Sequence, residues 1–400
     1  MNTLRILALF LFISGATAQA IELEVSAGKT DRPVGSIMSA MVTGLPEGTR
    51  SASIEPGGAT GQVENGDSGQ LFWRLAEPLN AGETKRFIIT PVKAKGEMKC
   101  IETTEVIQLQ QSGRNILEFR KAPSSEAAKH ASYYTRTGYI HPLWTPLGKV
   151  VTGDYPIDHV HQHALFFAWT KTEFEGKKTE FWNQKLEKGR ISYQSTETTA
   201  DGVCFAGFSA RNLYEDISNS ESFQPVLNET WTVRAWHKLP GENFQIVDLS
   251  IVQKCAGESP LTIEKYHYGG MTIRGNSDWL APSKKDPPPA QFLTSEGFSR
   301  ENGNHSRPEW VAMHGPLDGG HAAVTIMAHP ENFRHPQHVR LHPSKPYFVF
   351  TPMVEKAFQI TPEKPWKANF RLVISDGKPD TDLLETIRQN YAEPTRAKQL

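Results

Sequence analysis

The sequence has few cysteines, and charges of neither sign dominate it. Cys100, Cys204 and Cys255 are the three cysteines among 400 residues, and no two of them form a Cys-x-x-Cys pair. A zinc site built from thiolates is therefore not expected. The formal net charge is −1. This argues against a nucleic acid or an anionic membrane surface as partner, because both favour a basic face.

Common catalytic motifs and a membrane-spanning run are also missing. The chain has no Gly-x-Ser-x-Gly elbow, no P-loop and no Gly-x-Gly-x-x-Gly fingerprint. Its long apolar run, ILALFLFISGA, is too short for a comfortable membrane span. The run follows Arg5 and precedes the small-x-small site Ala18-Gln19-Ala20, a pattern typical of a secretory signal peptide. We therefore expect a cleaved signal peptide over residues 1–20 and a periplasmic or secreted protein.

Alternation of apolar and polar residues is the main pattern in the rest of the chain. Segments such as IELEVSA, HALFFAW and FQIVDLSIV predict strands. Helical periodicity is clear only in DTDLLETIRQNYAEP, where Asp380 or Thr381 can cap a C-terminal helix. The sequence therefore predicts an all-β fold with a large antiparallel β-sandwich core and one C-terminal helix.

A change in composition around residues 95–105 predicts a domain boundary. Glycine-rich loops separate a few strands before it, which favours a small immunoglobulin-like β-sandwich over residues 21–100. Longer strands and most of the aromatic residues follow it. We expect residues 101–400 to form the large sandwich that carries the function.

The segment DYPIDHVHQHALFFAW, residues 154–169, concentrates polar chemistry. If it is extended, His159, His161 and His163 share one face about 6–7 Å apart, so two neighbours could hold a divalent metal ion. Alternatively, Asp158 or Asp154 could orient a histidine as a general base. Polar packing without chemistry is the third interpretation. The residues alone leave all three open.

A second polar segment is IEKYHYGGMTIRG, residues 263–275. Read as a strand, it places Lys265 and His267 on one face, and Tyr266 and Tyr268 on the other. These groups and the following Arg274 can bind hydroxyls and carboxylates, and tyrosine can act as an acid. The alternative is an ordinary strand with one core face and one solvated face.

Two further residue classes suit a binding cleft. Histidine followed by proline, as at His141, His329 and His335, holds the backbone extended and suits an ordered loop, although proline marks turns in general. Tryptophans in or beside loops, including Trp169, could stack on sugar rings, although most tryptophans lie in a core.

Three stretches resemble the bacterial PmoA-like, or methane oxygenase-like, family, whose function is largely unknown. They are GYIHPLWTPLGKVVTGDYPIDHVHQHALFFAW, YHYGGMTIRG and MAHPENFRHP, and the resemblance covers roughly residues 101–378. Many members have a second histidine and an arginine after the Asp-His-x-His box, where this chain has Gln162 and His163. The resemblance implies an exported, all-β, carbohydrate-related protein, with a core that could be similar to that of galactose mutarotase.

We therefore expect an exported carbohydrate-active enzyme, a glycoside hydrolase or polysaccharide lyase, that needs no cofactor. The alternatives are a metal-dependent enzyme with an ion at His159/His161 or His161/His163, and a non-catalytic glycan-binding protein. The predicted catalytic residues are Asp158, His159, His161, Tyr266 and His267. The predicted substrate-binding residues are His141, Asp154, His163, Trp169, Tyr268, Arg274, His329 and His335.

Overall fold

The computed structural model describes residues 20–64, 68–283 and 285–400. The predicted signal peptide lies outside these residues except for its last position, and it stays a prediction. Strands make up 49% of the chain and helical residues 8%, and the sheets are antiparallel. The predicted all-β class, with a sandwich core and a C-terminal helix, is therefore confirmed.

The N-terminal part of the chain forms one seven-stranded sheet in the order β2-β5-β4-β3-β6-β1-β27. Its buried core includes Leu23, Trp73 and Ile89. The strands are β1 (Ile21–Ser26), β2 (Ile37–Thr43), β3 (Ser51–Glu55), β4 (Ala59–Glu64), β5 (Ser68–Arg74), β6 (Thr84–Pro91) and β27 (Arg396–Gln399).

The last strand of the chain belongs to this first sheet. β27 pairs antiparallel with β1, from Leu23 opposite Gln399 to Ser26 opposite Arg396. The Gln399 side chain also accepts a hydrogen bond from the backbone N–H of Thr43 on β2. The C-terminal residues thus lie with the N-terminal sheet rather than with the large sandwich. The boundaries of the predicted domains otherwise stay predictions.

Two eight-stranded sheets form the large sandwich. The front sheet has the order β23-β24-β19-β11-β10-β9-β8-β7. Its strands are β7 (Met98–Glu102), β8 (Val106–Gln111), β9 (Arg114–Arg120), β10 (Ile140–Leu143), β11 (Leu165–Ala168), β19 (Gly270–Arg274), β23 (Val339–Leu341) and β24 (Tyr347–Phe350).

The back sheet has the order β14-β15-β16-β17-β26-β22-β21-β20. Its strands are β14 (Gly189–Ala200), β15 (Phe205–Asp216), β16 (Gln224–Trp236), β17 (Phe244–Cys255), β20 (Gln291–Thr294), β21 (Trp310–Leu317), β22 (Gly320–Ala328) and β26 (Trp366–Asp376). Large aromatic rings fill the space between the sheets. Phe119 meets Trp231 with ring centroids 5.8 Å apart, and Phe167 meets Trp366 at 4.9 Å.

A small four-stranded sheet and a few helical segments complete the fold. The sheet has the order β13-β12-β18-β25. Its strands are β12 (Thr172–Phe174), β13 (Lys177–Thr179), β18 (Leu261–Ile263) and β25 (Phe358–Ile360). The 3-10 turns are Ser125–Lys129, Ser132–Tyr134, Gln184–Leu186, Ser277–Trp279 and Pro352–Val354.

The C-terminal helix α1 (Thr381–Ala392) begins as its sequence predicts. The Asp380 carboxylate caps it by accepting a hydrogen bond from the backbone N–H of Leu383, which satisfies one of the free donors at the helix start. Leu384 and Ile387 are buried in a cluster with side chains of the back sheet and of β5. Among the described residues, no helix is long and apolar enough to cross a membrane.

The outer face of the front sheet positions the candidate site. Successive side chains of a strand point to opposite faces. Ile273 of β19 lies in the sandwich core, so its neighbours Thr272 and Arg274 face outward. Cross-strand pairing then places Tyr347 of β24 opposite Arg274. A row of polar residues therefore runs across the outer face, where Thr272, Arg274 and Tyr347 are buried.

Candidate functional site

The histidine-rich segment forms a looped turn and not a strand. The backbone N–H of His159 bonds to the carbonyl of Pro156, and that of Gln162 bonds to the carbonyl of His159. An isolated β-bridge between Asp154 and His163 closes the loop, and β11 begins only after it, at Leu165. The extended alternation that the metal interpretation required does not form, because two local turns satisfy the backbone instead.

Asp158 and His159 form a hydrogen-bonded pair within this loop. The Asp158 Oδ2 atom lies 2.9 Å from His159 Nδ1. The His159 side chain is 30% exposed, whereas that of Asp158 is 15% exposed. Because Asp158 engages Nδ1, the second ring nitrogen of His159, Nε2, is left for a substrate.

Arg274 anchors the same carboxylate from the sheet below. It donates from Nη2 to Asp158 Oδ1 at 2.6 Å and from Nη1 to Oδ2 at 3.3 Å. Nη1 also donates to the Gln162 side-chain oxygen at 3.0 Å. Burial alone would raise the pKa of Asp158. The hydrogen bonds from His159 and Arg274 and the Arg274 charge outweigh burial and hold that pKa well below its usual range.

The hairpin between β23 and β24 supplies the other wall. The Lys345 ammonium lies 3.3 Å from Asp158 Oδ2. The rings of His342 and Tyr347 lie 6.0 Å and 6.2 Å from that of His159, measured between centroids. Side chains from two distant parts of the chain thus meet around His159.

His161 and His342 are held in the neutral form. Burial, followed by the charges of neighbouring side chains, lowers the pKa of His161 to about 4 and that of His342 to about 3. His342 Nδ1 also accepts hydrogen bonds from the backbone N–H groups of Ser344 and Lys345. Both rings are therefore uncharged near neutral pH.

A second aspartate–histidine pair lies beneath the loop. His163 Nδ1 is 3.0 Å from Asp154 Oδ1, and its Nε2 is 2.9 Å from the Gln184 side-chain oxygen. The Tyr139 hydroxyl donates to the other oxygen of Asp154 at 2.7 Å. The His163 side chain is fully buried and that of Asp154 is 6% exposed. These two residues brace the loop from below, which corrects the expectation that they contact substrate.

His141 also belongs to this lower layer. Its Nδ1 lies 3.0 Å from the Thr152 hydroxyl. Its pKa is lowered, mainly by burial, while the nearby Asp154 acts in the opposite direction. His141 therefore lies beside the buried pair, and the structure shows no contact of its ring with His159.

The tyrosine-rich segment is a connection between strands. β18 ends at Ile263 and β19 begins at Gly270, so the strand expected over the intervening residues is absent. The rings of Tyr266, His267 and Tyr268 contact one another, with centroids 4.2–4.9 Å apart. Their described ring contacts do not include His159, although Tyr347 lies near enough to Tyr268, and Arg340 near enough to His267, to act on them electrostatically.

The tryptophans predicted to stack on sugars are mostly core residues. Trp169 is completely buried and donates from its indole nitrogen to the Gln253 side chain. Trp182, Trp279, Trp310 and Trp366 are also buried. Filling the sandwich requires large apolar side chains, and this packing corrects the expectation of a tryptophan-lined cleft.

His329 and His335 lie beside the C-terminal helix. The His329 ring contacts that of Tyr391 with centroids 4.9 Å apart. His335 Nε2 lies 3.9 Å from Glu309, which also pairs with Arg388 of α1. The structure therefore places these two histidines at the back sheet and not with the His159 cluster.

A family model described as "Family of unknown function (DUF6807)" matches residues 106–388, more than half of the chain. The chain belongs to DUF6807. A comparison with curated proteins finds no match. The family model spans the whole site around His159, and the resemblance to the PmoA-like family stays a prediction.

The DUF6807 site is rich in positive charge. Arg274, Arg340 and Lys345 are its cations, and Asp158 is the carboxylate that pairs with two of them. Within the described ranges, Arg340 makes no ion pair, and its side chain donates to the amide oxygen of Asn304 at 3.1 Å. The cluster therefore has a surplus of positive charge.

The geometry limits metal binding by the DUF6807 histidines. In the part of the chain that the structure describes, no three His, Cys, Asp or Glu side chains are grouped to hold a metal ion. Both nitrogens of His163 face oxygen atoms of Asp154 and Gln184. His163 is therefore committed to those contacts, and the expected His161/His163 pair does not fit a metal ion.

Sequence reasoning missed Tyr347 and Lys345 and gave His342 no role in the site. The segment RLHPSKPYFVF carried a signal, since it places three basic or titratable side chains before a strand that begins with tyrosine. Only the pairing of β24 with β19 shows that this segment faces Arg274.

Proposed function

We propose that this protein is an exported enzyme that cleaves glycosidic bonds by acid–base chemistry, with His159 as the general base. The observation that carries the proposal is the Asp158–His159 pair, which occupies Nδ1 and leaves the partly exposed ring free to accept a proton at Nε2. A histidine oriented by a carboxylate suits this role at neutral pH.

Tyr347 is the proposed general acid. Its ring lies 6.2 Å from that of His159 and 4.8 Å from that of His342. Burial raises the pKa of Tyr347, although the charges of Arg340 and Arg274 and hydrogen bonding from Arg340 and Gln162 act to lower it. The phenol therefore keeps its proton until a leaving oxygen takes it.

The charges favour this chemistry over a pair of catalytic carboxylates. Most glycoside hydrolases use two acidic side chains, one of them protonated. Here Asp158 is ionised and bound to Arg274 and Lys345. Among the described residues, no other carboxylate contacts His159 or Tyr347. A histidine base with a tyrosine acid is thus the arrangement that the site supports best.

The expected signal peptide supports a substrate outside the cytoplasm, where polysaccharides are degraded. Many carbohydrate-active enzymes share this fold class. The loop that carries His159 and the hairpin that carries Lys345 leave both side chains partly exposed. A polymer could therefore reach His159 and Lys345 from solvent.

The test is release of new chain ends from a panel of neutral and acidic polysaccharides by residues 21–400. We expect the wild-type protein to cleave at least one polymer and His159→Ala to cleave it about 10²–10⁴-fold more slowly. The control His237→Ala, whose ring contacts Glu97 instead, should cleave at the wild-type rate. Binding without new chain ends for every polymer would overturn the proposal in favour of a glycan-binding protein.

A further inference from the structure

Buried hydrogen-bond donors without partners surround the proposed active site. The side-chain nitrogen of Gln162 and the Nε atoms of Arg274 and Arg340 are buried and have no hydrogen-bond partner among the described groups. Gln162 is 1% exposed and Arg274 is fully buried. Leaving such donors unpaired costs free energy, so native proteins usually give them an acceptor.

Two of these residues, Gln162 and Arg340, face one region. Gln162 and Arg340 both approach the Tyr347 hydroxyl closely enough to affect its protonation, although Gln162 makes no well-formed hydrogen bond there. Arg340 and Lys345 also act on the neighbouring His342. Donors and positive charge therefore converge beside Tyr347, next to the ring of His159.

An acceptor-rich, anionic group is the ligand that fits such a region. Arg274 is already committed to Asp158 through two hydrogen bonds. Two cations are still able to bind a new anion. Arg340 has no carboxylate partner among the residues described, and the Lys345 ammonium makes one ion pair at 3.3 Å. Charge-assisted hydrogen bonds to a carboxylate are stronger than neutral ones.

On the basis of the proposed function, we propose that the substrate is a uronate-containing glycan whose carboxylate is bound by Arg340, Lys345 and Gln162. Binding at these three groups places a negative charge next to His159 and Tyr347. The carbon beside a uronate carboxylate carries an acidic hydrogen, which a histidine can remove when cations stabilise the developing charge. The site therefore supports β-elimination rather than hydrolysis.

The bonds of this step balance without a cofactor. His159 Nε2 removes the proton on C5 of the uronate. The electrons of that C–H bond form the C4=C5 double bond while the glycosidic C4–O bond breaks. The leaving oxygen takes the proton of the Tyr347 hydroxyl. His159 then loses its extra proton to solvent and Tyr347 regains one, and no water is consumed.

Binding tests the substrate class independently of catalysis. Binding is measured by calorimetry with folded His159→Ala protein. The ligands are tetrasaccharides of galacturonate, glucuronate and mannuronate. The same tetrasaccharides with reduced carboxyl groups and a sulfated neutral tetrasaccharide serve for comparison. We expect one uronate to bind and its reduced form to bind at least about tenfold more weakly. Arg340→Gln or Lys345→Met should weaken uronate binding about 10- to 100-fold.

The control for these variants is Arg86→Gln, because the Arg86 side chain is 69% exposed on the N-terminal sheet. Equal binding of the uronate and its carboxyl-reduced form, binding of the sulfated glycan alone, or no binding of any probe would each overturn the inference. Product analysis with the wild-type protein separates the two proposals. An unsaturated uronate end supports elimination, whereas saturated ends would retain the proposed function and overturn the lyase step.

Discussion

Arg274 and Asp158 form a two-point ion pair beneath the exposed ring of His159. The guanidinium is completely buried and the carboxylate is 15% exposed. We predict that Asp158→Ala destabilises the protein by about 3–5 kcal/mol, because it leaves the buried Arg274 charge without its partner. Urea unfolding measures this change. The control is Glu264→Ala, because Glu264 is partly exposed and pairs with Lys178 at the surface. An equal loss of stability in Asp158→Ala and Glu264→Ala would contradict a buried ion pair at Asp158.

His161 makes the folded protein sensitive to mild acid. Its pKa is about 4 in the folded state, mainly through burial, and 6.5 is the ordinary value. The unfolded chain therefore binds a proton first, and stability present above about pH 6.5 is lost as the pH falls towards 4. We expect His161→Gln to reduce the pH dependence of the unfolding free energy in this range by up to about 1.4 kcal/mol per pH unit. Unchanged slopes in urea titrations at several pH values would contradict the burial of a neutral His161.

Tyr347 should matter for the chemical step more than for binding. We expect Tyr347→Phe to lower kcat by about 10²–10⁴-fold with little change in KM, because the ring remains while the proton donor is lost. The matched variant is Tyr268→Phe, whose hydroxyl lies near Asn183 and whose ring packs on Trp182. A larger loss from Tyr268→Phe would assign the acid to the tyrosine-rich segment, as the sequence first suggested.

His329 should have no part in cleavage. Its ring packs on Tyr391 beside the C-terminal helix, and it belongs to the back-sheet face of the sandwich. We expect His329→Ala to keep kcat/KM within about twofold, since no contact joins it to the His159 cluster. A loss comparable to that of His159→Ala would show that both histidine groups serve one site.

The strand pattern and the helix cap could be predicted because they depend on local sequence. Alternating side chains produce the long strands of the back sheet, and Asp380 precedes an apolar stripe that must be buried. β27 could not be predicted in the same way. Its residues, Arg396–Gln399, are mostly polar and exposed, and they form a strand only because β1 offers an unpaired edge.

The sequence predicted some residues of the site and missed those of the hairpin between β23 and β24. Asp158, His159 and Arg274 were identified from residue type, and the structure brings them together. Asp158, on the turn that replaces the expected strand, contacts Arg274, 116 residues later in the chain. Tyr347 joins the site because β24 pairs with β19. Such long-range pairings follow from the packing of the whole sandwich, and no local pattern records them.

The most direct test of the central claim is chemical rescue of His159→Ala. We predict that this variant still unfolds cooperatively in a urea titration, cleaves the substrate at least about 10²-fold more slowly, and regains part of its rate when imidazole is added. His237→Ala should cleave normally and show no response to imidazole. Cleavage by His159→Ala at the wild-type rate would contradict the assignment of His159 as the base.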